Sequence, residues 1–159
     1  MNKNMKLIKY LAIYLAIAAA FYSRGSELLS SVSGTIAYGQ NTASGNNVYA
    51  LAISTPISQN FAVSLIGAND GGRWLASAAT VQLGDKWAVS DRISLTANAG
   101  SGIAYDIFTQ RPTIYSFVDG GADYRLTKSV SIGGKVVIAN LADRAGIDVL
   151  GALSIGYKF

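Results

Sequence analysis

The thirteen residues Ile147–Phe159, IDVLGALSIGYKF, decide the fold. Ile147, Val149, Leu153, Ile155, Tyr157 and Phe159 share one parity, with Gly151 the only gap. Asp148, Leu150, Ala152, Ser154, Gly156 and Lys158 take the other. Successive side chains on a strand point to opposite faces, so the stretch is a strand with one greasy side and one small or polar side. It ends on an aromatic residue of the greasy face, where a soluble sheet rarely leaves one exposed.

The same period of two extends back to Val32. Val32, Ile36 and Tyr38 oppose Ser33, Thr35, Ala37 and Gly39, and a polar loop QNTASGNN follows. Tyr49, Leu51 and Ile53 oppose Ala50, Ala52 and Ser54 as far as the turn TPISQN. Phe61, Val63 and Leu65 oppose Ala62 and Ser64 before the Gly-rich turn ANDGG. A fourth strand is predicted with Leu75, Ala79, Val81 and Leu83 on one face and Trp74, Ala76, Ala78, Thr80 and Gln82 on the other. LGDKWAVSDR breaks the alternation and offers two turns, near residues 84–86 and near 90–92. Ile93, Leu95, Ala97, Ile103 and Tyr105 then form the greasy face of a fifth strand. After DIFTQRPT, the sixth places Val118, Ala122, Tyr124 and Leu126 opposite Tyr115, Phe117, Asp119, Gly121, Asp123 and Arg125. The seventh sets Val130, Ile132, Val136 and Ile138 against Ser131, Gly133 and Lys135, and NLADRAG leads into the last. This makes eight strands, an even number, with shorter connections at one end (TPISQN, LTKS) than at the other (DIFTQRPT, NLADRAG).

Composition suits short strands and tight turns. Half of the 159 residues are apolar, 14% are charged, and there are 17 Gly, nine Tyr and two Pro. One domain fits this length. Without cysteine there are no disulfides, thiolate metal sites or lipidated cysteine anchor. The net charge of +4 owes three units to Lys3, Lys6 and Lys9, so from residue 21 onward ten basic residues face nine acidic ones. No basic footprint for nucleic acid remains.

Residues 1–9, MNKNMKLIK, are a basic start to an unbroken apolar run, Tyr10–Tyr22. As a helix that run spans roughly 20 Å, short of the ~30 Å hydrocarbon core of a bilayer. Ala18 and Ala20 supply the small residues that a signal peptidase requires. The reading is a signal peptide over residues 1–20, a periplasmic lead-in over 21–31, and a barrel over 32–159. The alternative is an uncleaved inner-membrane anchor carrying a soluble periplasmic β-barrel.

The charges fit an inverted sheet. Asp106, Asp119, Asp123, Arg125, Lys135, Asp148 and Lys158 all fall opposite the greasy face. A charge facing lipid at mid-bilayer costs about 2–4 kcal/mol, which a lipid-facing register avoids. Tyr38, Tyr49, Phe61, Tyr105, Tyr124, Tyr157 and Phe159 lie on the greasy face near strand ends, where interfacial girdles sit. The other face is too rich in Ala, Gly and Ser to be the main core of a soluble barrel, whose large apolar residues point inside. The expected fold is all-β: an eight-stranded antiparallel up-and-down transmembrane β-barrel preceded by a signal-peptide helix.

From Val32 to Phe159 the chain resembles the small eight-stranded outer-membrane barrels of the OmpA and OmpX type. The hairpin GADYRLTKSVSIGGKVVI and the final LSIGYKF carry the likeness. The resemblance implies an outer-membrane location, outer-membrane lipid as the surrounding partner, and Leu153, Ile155, Tyr157 and Phe159 as a C-terminal signal for the barrel-insertion machinery. It implies little about activity, because one barrel architecture carries anchors, adhesins, enzymes and passive surface proteins.

Catalysis is not expected. Enzymes on small outer-membrane barrels rely by resemblance on a histidine, and this chain has none. A Ser–Lys pair drawn from Ser131, Ser154, Lys135 and Lys158 is the one remaining route. The loop carboxylates Asp70, Asp106 and Asp143 lack any known cation-ligand spacing, so neither metal nor cofactor is expected. The most specific constellation is Asp119, Asp123 and Arg125 on the sixth strand with Lys135 on the seventh. These are expected to form a charge network plugging a lumen just wide enough for side chains. Two registers keep them within reach, one pairing Arg125 with Ser131 and Lys135 with Gly121, the other placing Lys135 opposite Asp119. The resulting expectation is a monomeric envelope barrel of structural or surface role. The alternative is a narrow channel or small-ligand carrier using the Ala- and Ser-lined half of the lumen.

Overall fold

The computed structural model describes residues 31–57 and 61–159. The signal segment 1–20, with Ala18 and Ala20, and the lead-in up to residue 30 lie outside the described residues. Eight strands follow in chain order: β1 (Ser31–Asn41), β2 (Asn47–Pro56), β3 (Phe61–Asn69), β4 (Trp74–Ala88), β5 (Ile93–Asp106), β6 (Pro112–Arg125), β7 (Val130–Leu141) and β8 (Asp148–Lys158). Each pairs antiparallel with its sequence neighbours, and β8 returns to β1 in a register running from Ser31 opposite Lys158 to Asn41 opposite Asp148. The sheet is therefore a closed up-and-down barrel with no edge strand.

Its two faces are inverted relative to a soluble barrel. On β8, Leu153 is 75% exposed while its neighbour Ala152 is 5% exposed. The outward parity carries Ile36, Leu51, Ile53, Val81, Leu83, Leu95, Ile103, Val118, Val136 and Ile155, all exposed. Aromatic residues mark both ends of this belt. Tyr38, Tyr49, Trp74 and Tyr105 sit toward the longer loops, and Trp87, Tyr124, Tyr157 and Phe159 toward the shorter turns. Tyr38 and Tyr49 are cross-strand partners with ring centroids 5.0 Å apart, and Tyr157 meets Phe159 edge-on at 5.1 Å. From Ile114 to Tyr124 on β6 the belt is roughly 24 Å tall, taking ~3.4 Å per residue and a tilt of ~45°.

The interior holds two separate apolar clusters. Ala37, Val48, Leu150 and Ala152 pack together on the β8–β1–β2 wall. Leu75, Ala104, Tyr115 and Leu141 pack on the β4–β7 wall. Both lie in the half nearer the loops.

The alternation expected for the fourth strand is corrected. Ser64 pairs with Thr80 but Ile66 with Ser77, and Ser77 pairs with Ala104 but Thr80 with Gly102. β4 thus carries one extra residue at positions 78–79, a bulge against both neighbours. Before the bulge the phase is reversed: Trp74 is exposed and Leu75 is buried. Simple counting by two runs straight through the small-residue stretch ASAAT, which carries no hydrophobic signal to reveal the slip. Beyond it the strand continues to Ala88, and residues 84–86 lie in mid-strand. The turn is at 89–92, where the amides of Val89 and Ser90 donate to the Ile93 carbonyl. Lys86 thereby faces the lumen, and Asp85 takes the outward parity near the turn end.

Deleting Ala79 removes the extra residue and leaves Ser77 and Thr80 two apart, so that Leu75, Ser77, Thr80 and Gln82 keep the lumen face of a regular strand. The expected outcome is retention of the folded, heat-modifiable band on gels. Deleting Ala97 from the regular β5 instead shifts every later side chain of that strand to the other face and should lose most of the band. Loss of the band on deleting Ala79 contradicts the bulge.

Candidate functional site: the lumen and its loop-end mouth

Ionic side chains on the inner face of a closed barrel must find partners there, since burying an unpaired charge is costly. The register pairs Arg125 with Ser131 and Gly121 with Lys135, the first of the two expected arrangements. Lys135 Nζ lies 3.6 Å from Asp119 Oδ1, and Asn98 Nδ2 donates to the same carboxylate at 2.8 Å. Asp123 is bound by Lys86 at 3.0 Å. Arg125 is exposed at the turn end and makes no ion pair among the described residues. The four residues expected as one network are thus divided: Asp119 with Lys135, Asp123 with Lys86, and Arg125 apart. Space for the carboxylates comes from glycine. A Cβ on Gly133 would overlap the Asp123 carboxylate and the Ser154 hydroxyl, and one on Gly121 would strike the backbone of β7.

A second ionic cluster, not anticipated from the sequence, crosses the barrel mouth at the loop end. In a ring of eight strands, the β3–β4 connection (residues 70–73) and the β7–β8 connection (residues 142–147) lie half a circumference apart. Arg73 binds Asp70 at 2.8 Å within its own loop and reaches Asp143 of the other at 2.6 Å. Arg144 returns across the gap to Asp70 at 3.0 Å and also holds Asp148. Asn41 Nδ2 completes the coordination of Asp148 at 3.0 Å. The side chains of Asp70 and Asp148 are 4% and 3% exposed, so Arg144 neutralises two buried carboxylates at once. Thr42 and Ile147 join the β1–β2 and β7–β8 loops by two further hydrogen bonds. The bond from Arg73 holds the Asp143 carboxyl below its ordinary range, and the bonds to Asp143 and Asp70 raise the Arg73 guanidinium further above its own.

Between the charged β4–β7 wall and the small-residue β8–β3 wall runs a cavity of about 690 Å³. Its lining extends from Asp148 and Leu75 at the loop end to Ser31, Arg92, Lys128 and Lys158 at the turn end. Ala37, Ala50, Ala52, Ala62 and Ala68 line one side, where side chains are too short to fill the bore.

The remaining sequence candidates are dispersed. Lys135 is engaged by Asp119, and Ser131 and Ser154 hydrogen-bond to no lysine among the described residues. Asp106 caps the β5–β6 turn, accepting from the amides of Phe108 and Thr109 at 2.8 and 2.9 Å. Asp70 and Asp143 are taken by the arginines. Leu153, Ile155 and Tyr157 lie exposed on the outer face of β8, with exposed Phe159 just beyond its end. The sequence does not reveal the loop-end clasp because its members are two short-range pairs, Asp70/Arg73 and Asp143/Arg144. These look like ordinary solvated turn charges until the ring brings them together.

Two outcomes follow from the clasp. Arg144→Met leaves Asp70 and Asp148 buried beside too little positive charge, and about 3–5 kcal/mol of stability should be lost in urea unfolding from lipid vesicles. For Asp143, a folded pKa below the unfolded value of about 3.9 means that its contribution is complete above that value. It is lost as the pH falls through the lowered folded pKa. The stability gap between wild type and Asp143→Asn should therefore be constant from neutral pH down to about 5 and close below about 4.

No family model matches the chain, and no curated protein is significantly similar to it in sequence. Solved structures do match. The N-terminal β-barrel domain of Pseudomonas aeruginosa OprF is 12% identical, with a TM-score of 0.55, covering 82% of this chain and 98% of that one. Neisserial surface protein A is 12% identical with a TM-score of 0.56, covering 81% and 95%. A de novo designed transmembrane β-barrel is 16% identical with a TM-score of 0.55, covering 82% and 97%. The chain has the fold of the small eight-stranded outer-membrane β-barrels.

Proposed function

We propose that the protein is a monomeric outer-membrane barrel of the bacterial envelope, with a structural or surface role, no catalysis and no conducting pore. One observation carries this reading: a closed barrel whose exposed Leu, Ile and Val belt is framed by aromatic residues at both ends. Hydrocarbon is the solvent in which that surface is stable, and closure satisfies the strand backbone groups that lipid cannot. A soluble periplasmic barrel on an inner-membrane anchor would leave the same belt in water. On this reading the chain is exported by a signal peptide cleaved after Ala20. It is then inserted through recognition of the final strand, including Leu153, Ile155, Tyr157 and Phe159.

Closure of the pore is assigned to the loop end as well as to the interior charges. The Arg73–Asp143 and Arg144–Asp70 pairs span the mouth, and the Asp119–Lys135 and Asp123–Lys86 pairs occupy one side of the bore. The lumen is not filled by those charges alone, since the cavity runs beside them.

Three measurements test the reading. Sucrose-gradient fractionation should place the protein with the outer membrane; inner-membrane or periplasmic fractions would overturn it. Planar bilayers should show no unitary conductance for the wild type, and regular channel openings would refute a closed barrel. Leu153→Arg, at mid-strand on the outer face, should cost about 2–4 kcal/mol in vesicles.

A further inference from the structure

We propose that the lumen is a binding site for one single-chain anionic amphiphile, admitted at the turn end with its hydrocarbon tail toward the loops. This rests on the reading of the chain as a bilayer-embedded barrel. Three features of the lumen point the same way. First, the bore is blind. The loop end is crossed by the Arg73–Asp143 and Arg144–Asp70 pairs, whereas the cavity lining continues to the last turn-end residues, Ser31 and Lys158.

Second, the cavity changes character along its length. Its loop half runs between two apolar clusters that do not merge, one around Val48 and Leu150 and the other around Leu75 and Leu141. Its turn half is bordered by Lys86, Arg92, Arg125, Lys128 and Lys158, against Asp91 and Asp123, with Asp85 at the rim on the outward parity of β4. Arg125, Lys128 and Lys158 carry no ion pair among the described residues, and neither do Asp85 and Asp91, so five basic against three acidic side chains leave the mouth net positive. Apolar depth with a cationic rim is complementary to a tail with an anionic head.

Third, the dimensions fit a chain rather than a ring. From Asp148 to Lys158 the bore is about 24 Å deep, at ~3.4 Å per residue and ~45° tilt. A volume of about 690 Å³ over that depth leaves a section on the order of 30 Å². That admits one extended hydrocarbon tail. Filled instead with water, the same space would hold some twenty molecules at ~30 Å³ each, many of them against alanine and leucine with too few polar partners.

The test uses the full chain refolded into phosphatidylcholine nanodiscs, with the heat-shifted gel band as proof of folding. A fluorescent polyunsaturated fatty carboxylate serves as probe, and empty discs as background. Saturable binding of one probe per barrel is expected. It should be competed by hexadecanoate or by palmitoyl lysophosphatidylglycerol, the two arms separating a free fatty acid from a lipid headgroup. Hexadecyltrimethylammonium should compete at least tenfold less well. Ala52→Trp should abolish binding by filling the bore, with Ala50→Leu as the milder variant should the first not fold. Arg125→Glu combined with Lys158→Glu should weaken binding about tenfold. Folded wild type without saturable binding, undiminished binding in a folded bore-filling variant, or equal competition by the cationic amphiphile would each overturn the proposal. Failure of the wild type to give the shifted band in discs would instead sink the bilayer reading beneath it.

Discussion

A sheet whose outer face is hydrocarbon-like can leave no backbone N–H or C=O unpaired on that side, because nothing outside will accept it. The β1–β8 seam is the structural answer: the alternating pattern of the last strand finds a partner in the first, and the ring has no edge. Without that seam the exposed Leu153 and Ile155 would belong to an open sheet with a sticky edge, the usual route to aggregation. Everything else in the molecule is arranged around a ring that has already closed.

Closure sends the ionic residues inward, where each needs a countercharge at close range. The protein meets this need twice, with different means. Within the bore Asp119 pairs with Lys135 on the adjacent strand and Asp123 with Lys86 two strands away, at positions where Gly121 and Gly133 make room. At the loop end the partners come from opposite sides of the ring, so Arg73 and Arg144 act as crossbars as well as neutralising charges. Packing the charges on the β4–β7 wall leaves the opposite wall to alanines. That asymmetry opens the cavity.

Much of this architecture was legible in the sequence, and for a definite reason. Period-two alternation reports the face of every residue as long as the strand is regular, so β5 to β8 could be read side chain by side chain. Reading failed at β4, where the bulge inserts a residue among alanines, and Trp74 and Leu75 exchange faces. Lys86 lies beyond that slip, in LGDKWAVSDR, so the broken alternation there does not show it on the lumen face as a partner for Asp123. The clasp was invisible for a different reason. Arg73 and Asp143 are far apart in the chain and both sit in turns, where alternation says nothing and only the circular order of strands makes them neighbours. Cavity volume is likewise a property of the whole ring, hinted at by small side chains on β1 to β3 but fixed only when the opposite wall is in place.

The central claim is that the bulky parity faces lipid and the small and ionic parity faces the lumen. Because the chain contains no cysteine, single cysteines can be introduced along β8 at positions 149–156 without background. Each would carry a spin label, in vesicles, for accessibility to oxygen and to a water-soluble nickel complex. Oxygen accessibility should peak at 149, 151, 153 and 155 and fall at 150, 152, 154 and 156, with no nickel access at the former set in mid-strand. The opposite phase, or nickel access at 153 and 155, would contradict the account.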